Sequence, residues 1–439
     1  MIRAAATAVS RLVLRVFYRR IEAAGLPRVP ASGPTILVLN HPNGLMDPLL
    51  LLCLSPRPVS FLAKSPLFTM PFVSLFVKAF GSIPVYRPED PDADVRRNRE
   101  TFAKARDLLR RGGVLALFPE GISHDEPRLM PLKSGAARIA LGAASEGPVT
   151  IVPAGLTYEA RDIFRSGALL CIAEPFTVDP ISLDERGEPP RTAVKALTAR
   201  LRVALEGATL QADDQATLDL AAAAEMLFAP GGEEGLDARF AFRRLLLDKA
   251  TLLRESHPER LAALSARVAG ASRVLSAAGI SPSDLDGGAV RAELAASALA
   301  ALLVALFLAP LALAGLAAHA PAYNLIDPLA RRLSRGDTDI VATIKVLGAF
   351  LFFPLTWIAL GTAAGLAWGL PLGLLTGFAL PLCGYLALLL LERWERTITS
   401  LRVLTLSLFR LRTLTELRSE RAAIVTEMQA LDALLDSTE

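Results

Sequence analysis

The sequence predicts an α/β domain with a mainly parallel sheet flanked by helices, followed by a helical region and C-terminal transmembrane helices. Three observations predict it. Short apolar runs alternate with helical stretches from about residue 30 to about residue 180. A charged, Leu/Ala-rich stretch with helical character follows, over about 190 to 275. Beyond residue 290 come two long uncharged blocks.

Residues 1–25 read as a basic amphipathic interfacial helix. Arg11, Arg15 and Arg19 recur four apart beside Leu12, Val13, Leu14, Val16, Phe17 and Tyr18. The uninterrupted apolar core and cleavage site of a signal peptide are missing. A surface helix packed on the domain is the alternative. Pro27, Pro30 and Pro34 are expected to end this helix.

The α/β domain is placed at residues 26–180. Its expected strands are Thr35–Leu39, Val59–Leu62, Ser82–Tyr86, Val114–Phe118, Thr150–Thr157 and Ala168–Ala173, with helices at Asp94–Arg111 and Ser134–Ser145. Residues 181–290 form the helical region, with a turn at Pro230-Gly231-Gly232 and a linker over Ser281–Gly288.

A membrane domain of two to four hydrophobic helices is placed at 291–392. Leu294–Ala318 carries no charge over about 25 positions. Val346–Leu391 carries none over about 46, enough for two helices broken near Gly369 and Pro371. Residues 393–439 return to a polar helical tail. Arg331, Arg332 and Arg335 lie between the apolar blocks, and Arg393, Arg396 and Arg402 follow the last; the positive-inside rule places both clusters in the cytoplasm. Three simple spans conflict with that if the α/β domain is also cytoplasmic. A first segment bent back near Pro310 resolves the conflict, and both arrangements stay open.

Composition excludes several classes. At 439 residues, 52% are hydrophobic and 21% charged, with a net charge of +3, and the mean hydropathy is +0.41. The basic residues are not interleaved with aromatics, so nucleic acid is not an expected partner. Cys53, Cys171 and Cys383 are far apart in apolar runs and read as buried small hydrophobes. Ser123 and Ser134 lack a nucleophile-elbow pattern, which sets a serine hydrolase aside.

The chemistry concentrates in four blocks. In Leu39-Asn40-His41-Pro42-Asn43-Gly44-Leu45-Met46-Asp47-Pro48, a histidine stands at a strand end with an aspartate six positions later. On one helix that separation turns about 240°, so the two meet only if His41 lies in the strand–helix turn and Asp47 near the helix start. Asp47 can then hold one imidazole nitrogen and leave the other as a base. A structural loop histidine is the alternative. In Gly81-Ser-Ile-Pro-Val-Tyr-Arg87, the guanidinium at a strand end can grip a phosphate bidentately. In Phe118-Pro119-Glu120-Gly121-Ile-Ser123, Gly121 lets backbone N–H groups approach an anion, and Glu120 can hold acceptor hydroxyls. The fourth block is Ile151-Val152-Pro153-Ala154-Gly155. In a parallel sheet such strand ends converge on one crevice. His124 reads as a polar loop residue rather than a second base, and His257 and His319 receive no role.

These four blocks, in this order and spacing, resemble the glycerolipid acyltransferase family typified by bacterial lysophosphatidate acyltransferase, over roughly residues 30 to 180. The resemblance implies that His41 deprotonates an acceptor hydroxyl, which attacks an acyl thioester directly, with Asp47 orienting the histidine. It implies that Arg87, Glu120 and Gly121 bind glycerol phosphate, and that Lys133, in Pro131-Leu-Lys-Ser-Gly-Ala, is the basic residue after the third block. No metal or cofactor is implied; the donor is acyl-CoA or acyl carrier protein. Five residues separate His41 from Asp47 where the usual pattern has four. That spacing resembles the branch with the fungal glycerol-3-phosphate and dihydroxyacetone-phosphate acyltransferases, as do Gly155-Leu-Thr-Tyr158 and Phe164-Arg165-Ser166.

The expectation is therefore an integral membrane phospholipid-biosynthetic enzyme, its catalytic domain facing the cytoplasm beside membrane lipids. Glycerol 3-phosphate and 1-acylglycerol 3-phosphate both remain open as acceptors. A noncatalytic lipid-binding scaffold and a lysophospholipid-remodelling acyltransferase are the alternatives.

Overall fold

The computed structural model describes the chain apart from residues 1, 71–72, 89–93, 229–234, 279–290, 336–339, 410 and 437–439. The expected turn at 230–232 and linker at 281–288 lie outside the described residues. The chain forms two compact units. One comprises Met1–Gln215, Gly235–Arg244 and Gly336–Thr343; the other comprises Ala216–Glu234, Leu245–Arg335 and Ile344–Glu439.

The first unit is built on an eight-stranded sheet. In chain order its strands are β1 Arg20–Ala24, β2 Thr35–Leu39, β3 Val59–Lys64, β4 Ile83–Val85, β5 Val114–Leu117, β6 Val149–Tyr158, β7 Gly167–Ile172 and β8 Phe176–Val178. They are arranged β1-β7-β6-β2-β5-β3-β4, with β8 on β6. Every pairing is parallel except β6 with β7 and β6 with β8. The mainly parallel sheet is thus the architecture the alternating pattern predicted. Helices α1 Ile2–Phe17, α2 Met46–Leu54, α3 Val73–Ala79, α4 Asn98–Arg110, α5 Gly135–Ala144 and α6 Arg191–Glu206 accompany it. Central strands in such a sheet are covered on both faces, so they read as continuous apolar runs rather than alternations. All five residues of β2 are buried. Ile36, Val38, Leu115, Leu117 and Ile151 pack with Leu109 of α4, Ile139 of α5 and Leu201 of α6 in one core.

Two strands were not foreseen, and the first corrects the N-terminal reading. The opening helix stops at Phe17, well before the prolines, and Arg20–Ala24 pairs with β7 as β1. The guanidinium of Arg165 takes the carbonyls of Arg15 (2.6 Å), Val16 (3.2 Å) and Tyr18 (3.2 Å), while its backbone N–H donates to that of Phe17 (2.6 Å). The last carbonyls of α1 are satisfied from outside, so the helix ends there. It packs on α2 and α3, buries Leu14 and Phe17, and exposes Ile2, Val9 and Leu12. The other unforeseen strand, β8, is too short to show a period.

A further correction concerns the fourth block, which lies inside β6 rather than at its end. A Cβ on Gly155 would stand 1.9 Å from the carbonyl oxygen of Ala208, so glycine is what lets the chain after α6 approach the strand. The strand runs on to Tyr158.

The second unit is helical. Its elements are most of α7 Gln215–Phe228, most of α8 Leu236–Ser256, α9 Pro258–Ala278, α10 Arg291–Leu333, most of α11 Val341–Trp368, α12 Leu370–Phe409 and α13 Leu411–Asp436. Leu227 of α7, Val268 and Leu275 of α9 and Leu417 and Ile424 of α13 form a small core, edged by the ion pairs Arg260–Glu427 and Arg267–Glu420, both 2.9 Å.

Among the described residues, Leu306–Leu333, Val341–Trp368 and Leu370–Trp394 are helical, long and apolar enough to cross a membrane. The break between the last two falls at Gly369, as the composition indicated. The first apolar segment does not turn back at Pro310: α10 continues through Pro310, Pro321 and Pro328 as one helix. Prolines inside an apolar helix are tolerated where its neighbours re-satisfy the freed carbonyls.

Candidate active site

Because β6, β2, β5, β3 and β4 run parallel in that spatial order, their C-terminal ends share one edge of the sheet. Tyr158 ends β6, His41 follows β2, Glu120 follows β5 and Arg87 follows β4. Residues distant in sequence are thereby set side by side.

His41 lies in the turn between β2 and α2, and Asp47 in the first turn of α2. The five-residue separation is closed by Asn43, whose backbone N–H donates to Asp47 Oδ2 (2.8 Å) and whose carbonyl accepts from the N–H groups of Met46 (2.9 Å) and Asp47 (3.1 Å). His41 Nδ1 stands 2.7 Å from Asp47 Oδ2. A buried carboxylate there fixes the tautomer with the proton on Nδ1 and leaves the lone pair on Nε2. The ring stacks on Phe118, with centroids 3.9 Å apart and planes 10° from parallel. The His41 side chain is 17% exposed and that of Asp47 fully buried, so the imidazole opens outward while its partner is sealed.

Asp47 has a further partner. The hydroxyl of Tyr158 donates to Oδ1, the oxygen His41 does not use. The Tyr18 phenol stacks on that of Tyr158 and is hydrogen-bonded to it, and Asn43 Nδ2 donates to the Tyr18 oxygen (3.4 Å). Burial first, and then the nearby Asp47 charge, pushes both phenols well above their ordinary range, so both stay protonated donors.

The strand-β5 turn holds a second histidine–carboxylate pair. Glu120 is buried, and its carboxylate accepts from the His41 backbone N–H (3.2 Å), the Met130 N–H (2.7 Å) and His124 Nε2 (2.5 Å). The His124 N–H in turn donates to the His41 carbonyl (3.1 Å). Burial works against the charged imidazole of His124, but the hydrogen bond and charge of Glu120 outweigh it and raise its pKa. The Glu120 carboxylate therefore points inward, bracing the His41 loop.

Arg87 Nη1 donates to the Gly121 carbonyl (3.1 Å). Gly121 has φ +77°, and the Lys133 stem lies where its Cβ would be, with Cδ and Cε at 2.8 Å. The backbone N–H of Lys133 donates to the Pro119 carbonyl (2.7 Å). Arg87, Gly121 and Lys133 thus come together as one cationic corner, on the same sheet edge as His41. At the other end of the turn, the Leu45 N–H donates to Thr343 Oγ1 (3.0 Å), from the short segment that joins this unit late in the chain.

The sequence reading did not select Tyr158, Tyr18 or Asn43. Tyr158 was visible only as part of a family-branch pattern, and nothing in the chain marks Tyr18 as a neighbour 140 residues away. His124 was visible as a polar loop residue but not as the partner of Glu120, although a separation of four puts them within reach.

Residues 20–157 match the family described as "Acyltransferase". They form an acyltransferase-family domain. Among similar proteins, glycerol-3-phosphate O-acyltransferase 2 of Saccharomyces cerevisiae is 40% identical over 136 residues, covering 30% of this chain and 18% of the yeast protein. An uncharacterised acyltransferase of Schizosaccharomyces pombe is 26% identical over 308 residues, covering 50% and 46%. The 1-acyl-sn-glycerol-3-phosphate acyltransferase of Borreliella burgdorferi is 27% identical over 176 residues, covering 40% and 68%. The matches span less than half the length of the two yeast proteins. Among solved structures, the 1-acyl-sn-glycerophosphate acyltransferase of Thermotoga maritima is similar with a TM-score of 0.35 and 20% identity, over 47% of this chain and 78% of that one.

Proposed function

We propose that the protein is a membrane-bound glycerolipid O-acyltransferase of phospholipid biosynthesis, passing a fatty acyl group from an acyl thioester to a glycerol phosphate hydroxyl. The observation that carries this reading is the outward-facing Nε2 of His41, set by the Nδ1–Asp47 contact of 2.7 Å beside the Arg87–Gly121–Lys133 corner. His41 Nε2 takes the proton of the acceptor hydroxyl as its oxygen bonds to the thioester carbonyl carbon. The tetrahedral intermediate collapses with cleavage of the C–S bond, and the histidine returns its proton to the departing thiolate sulfur. The cationic corner holds the acceptor phosphate and keeps the hydroxyl within reach of the base.

Glycerol 3-phosphate is the acceptor favoured by the 40% identity to a yeast glycerol-3-phosphate acyltransferase and by the longer His–Asp spacing. The three apolar helices keep the product beside the bilayer. The test supplies membranes containing the full chain with labelled acyl-CoA or acyl carrier protein and each acceptor in turn. Transfer to glycerol 3-phosphate that disappears in His41→Ala is expected. Transfer that survives His41→Ala overturns the mechanism, and transfer to 1-acylglycerol 3-phosphate alone overturns the acceptor. No transfer to either acceptor overturns the function and leaves a lipid-binding scaffold.

A further inference from the structure

Asp47 receives more donors than a carboxylate needs merely to orient a histidine. Oδ2 serves His41 Nδ1 and the Asn43 N–H, while Oδ1 takes the Tyr158 hydroxyl. The Tyr158 proton is committed to Asp47, so the bond between the two phenols must be donated by Tyr18. Tyr18 then accepts from Asn43 Nδ2, whose amide also donates to the Arg161 carbonyl (2.9 Å). The bonds therefore run in one direction, Asn43 to Tyr18 to Tyr158 to Asp47, and end on the carboxylate behind the base. Such chains polarise in series, so each member strengthens the next.

Tyr18 is also the point where α1 joins this network. It follows the last residue of the helix, its carbonyl is held by Arg165, and its ring lies edge-on to Phe17, with centroids 5.0 Å apart.

We infer that Tyr158 and, through it, Tyr18 are positioning residues for the acyl-transfer base. Their hydroxyls hold Asp47 with Oδ2 toward His41 and draw off part of its charge, which sets how basic His41 is. The inference rests on the function proposed above for its catalytic consequence, but not for the effect on the imidazole.

Among the described residues, the charged or titratable groups around the dyad include Glu120 and His124 beneath the His41 loop, Glu126 near His124, Arg161 on the loop after β6, and Arg87 and Lys133 at the corner. All are left in place by substitutions at the two tyrosines. Removing a donor leaves more negative charge on the Asp47 oxygens and favours the imidazolium of His41. The imidazole midpoint therefore moves up, not down.

The experiment follows the four histidines of the full chain in detergent by 15N NMR as pH is varied, with His41→Asn assigning the signal, in wild type, Tyr158→Phe and Tyr18→Phe. The His41 midpoint is expected to rise by roughly half a unit to one unit in Tyr158→Phe, and by less in Tyr18→Phe. In parallel, the acid limb of kcat/KM shifts in the same direction, and kcat falls about tenfold with KM for the acceptor unchanged. A folded Tyr158→Phe chain whose midpoint is unchanged or lowered overturns the inference. If that variant does not fold, Tyr18→Phe decides, and an unmoved midpoint there overturns it. Wild-type chain that transfers no acyl group fails the proposed function, while the NMR titration still decides this one.

Discussion

The molecule holds two histidine–carboxylate pairs almost side by side, and they are built for opposite ends. In one, His41 meets Asp47 through Nδ1, turns Nε2 outward and stacks flat on Phe118. In the other, His124 spends Nε2 on Glu120 and keeps Nδ1 buried without a partner among the described residues. The residue types are nearly the same. What separates the two pairs is which nitrogen the carboxylate takes and which one is left over. The two are also linked, since Glu120 accepts the His41 backbone N–H and His124 donates to the His41 carbonyl.

Breaking the first pair should have the largest effect. His41→Ala is expected to lower kcat about 10²- to 10⁴-fold in the acyl-transfer assay without loss of fold by circular dichroism. Asp47→Asn should approach that loss by favouring the wrong imidazole tautomer. If either variant kept wild-type turnover, the first pair would be no more catalytic than the second.

Arg87→Ala comes next, and it tests whether the cationic corner belongs to binding rather than to the base. It should raise KM for the acceptor phosphate about 10- to 100-fold with a smaller change in kcat. An unchanged KM would remove Arg87 from the site.

Breaking the second pair should appear in stability more than in rate. His124→Gln is expected to cost about 1–3 kcal/mol in urea unfolding of the full chain, and to lower kcat by less than about tenfold. The pH dependence gives the sign. The folded pKa of His124 is raised above 6.5, so its contribution is fully present below that value and fades as pH rises through the raised one. The stability gap between wild type and variant should therefore narrow toward alkaline pH. A gap independent of pH would mean that the imidazolium is not what Glu120 holds.

The smallest effect is expected from Thr343→Val, which takes the acceptor from the Leu45 N–H at the start of α2. A loss of about 1 kcal/mol in the same unfolding measurement is the expected result.

Much of this was legible in the chain because the signals are local. Apolar runs such as Thr35–Leu39 and Val114–Leu117 are continuous, since both faces of a central parallel strand are covered. The long uncharged blocks announced apolar helices that leave large side chains outside the protein core, and Phe307 and Leu366 are 85% and 86% exposed. His41, Asp47, Arg87, Gly121 and Lys133 could be picked out because each sits beside a strand end or turn that the sequence marks with proline or glycine.

The sequence by itself thus determined the kind of sheet, the apolar helices and which strand ends carry an imidazole, a carboxylate and cations. Only the tertiary structure decided that Glu120 turns inward to His124 and that the first helix stops at Phe17 against Arg165. It also decided that two tyrosines 140 positions apart support Asp47. Periodicity and strand-end placement are set by neighbours along the chain. The direction of a buried carboxylate is set instead by whichever donors the packed sheet brings to it, and those come from anywhere in the sequence.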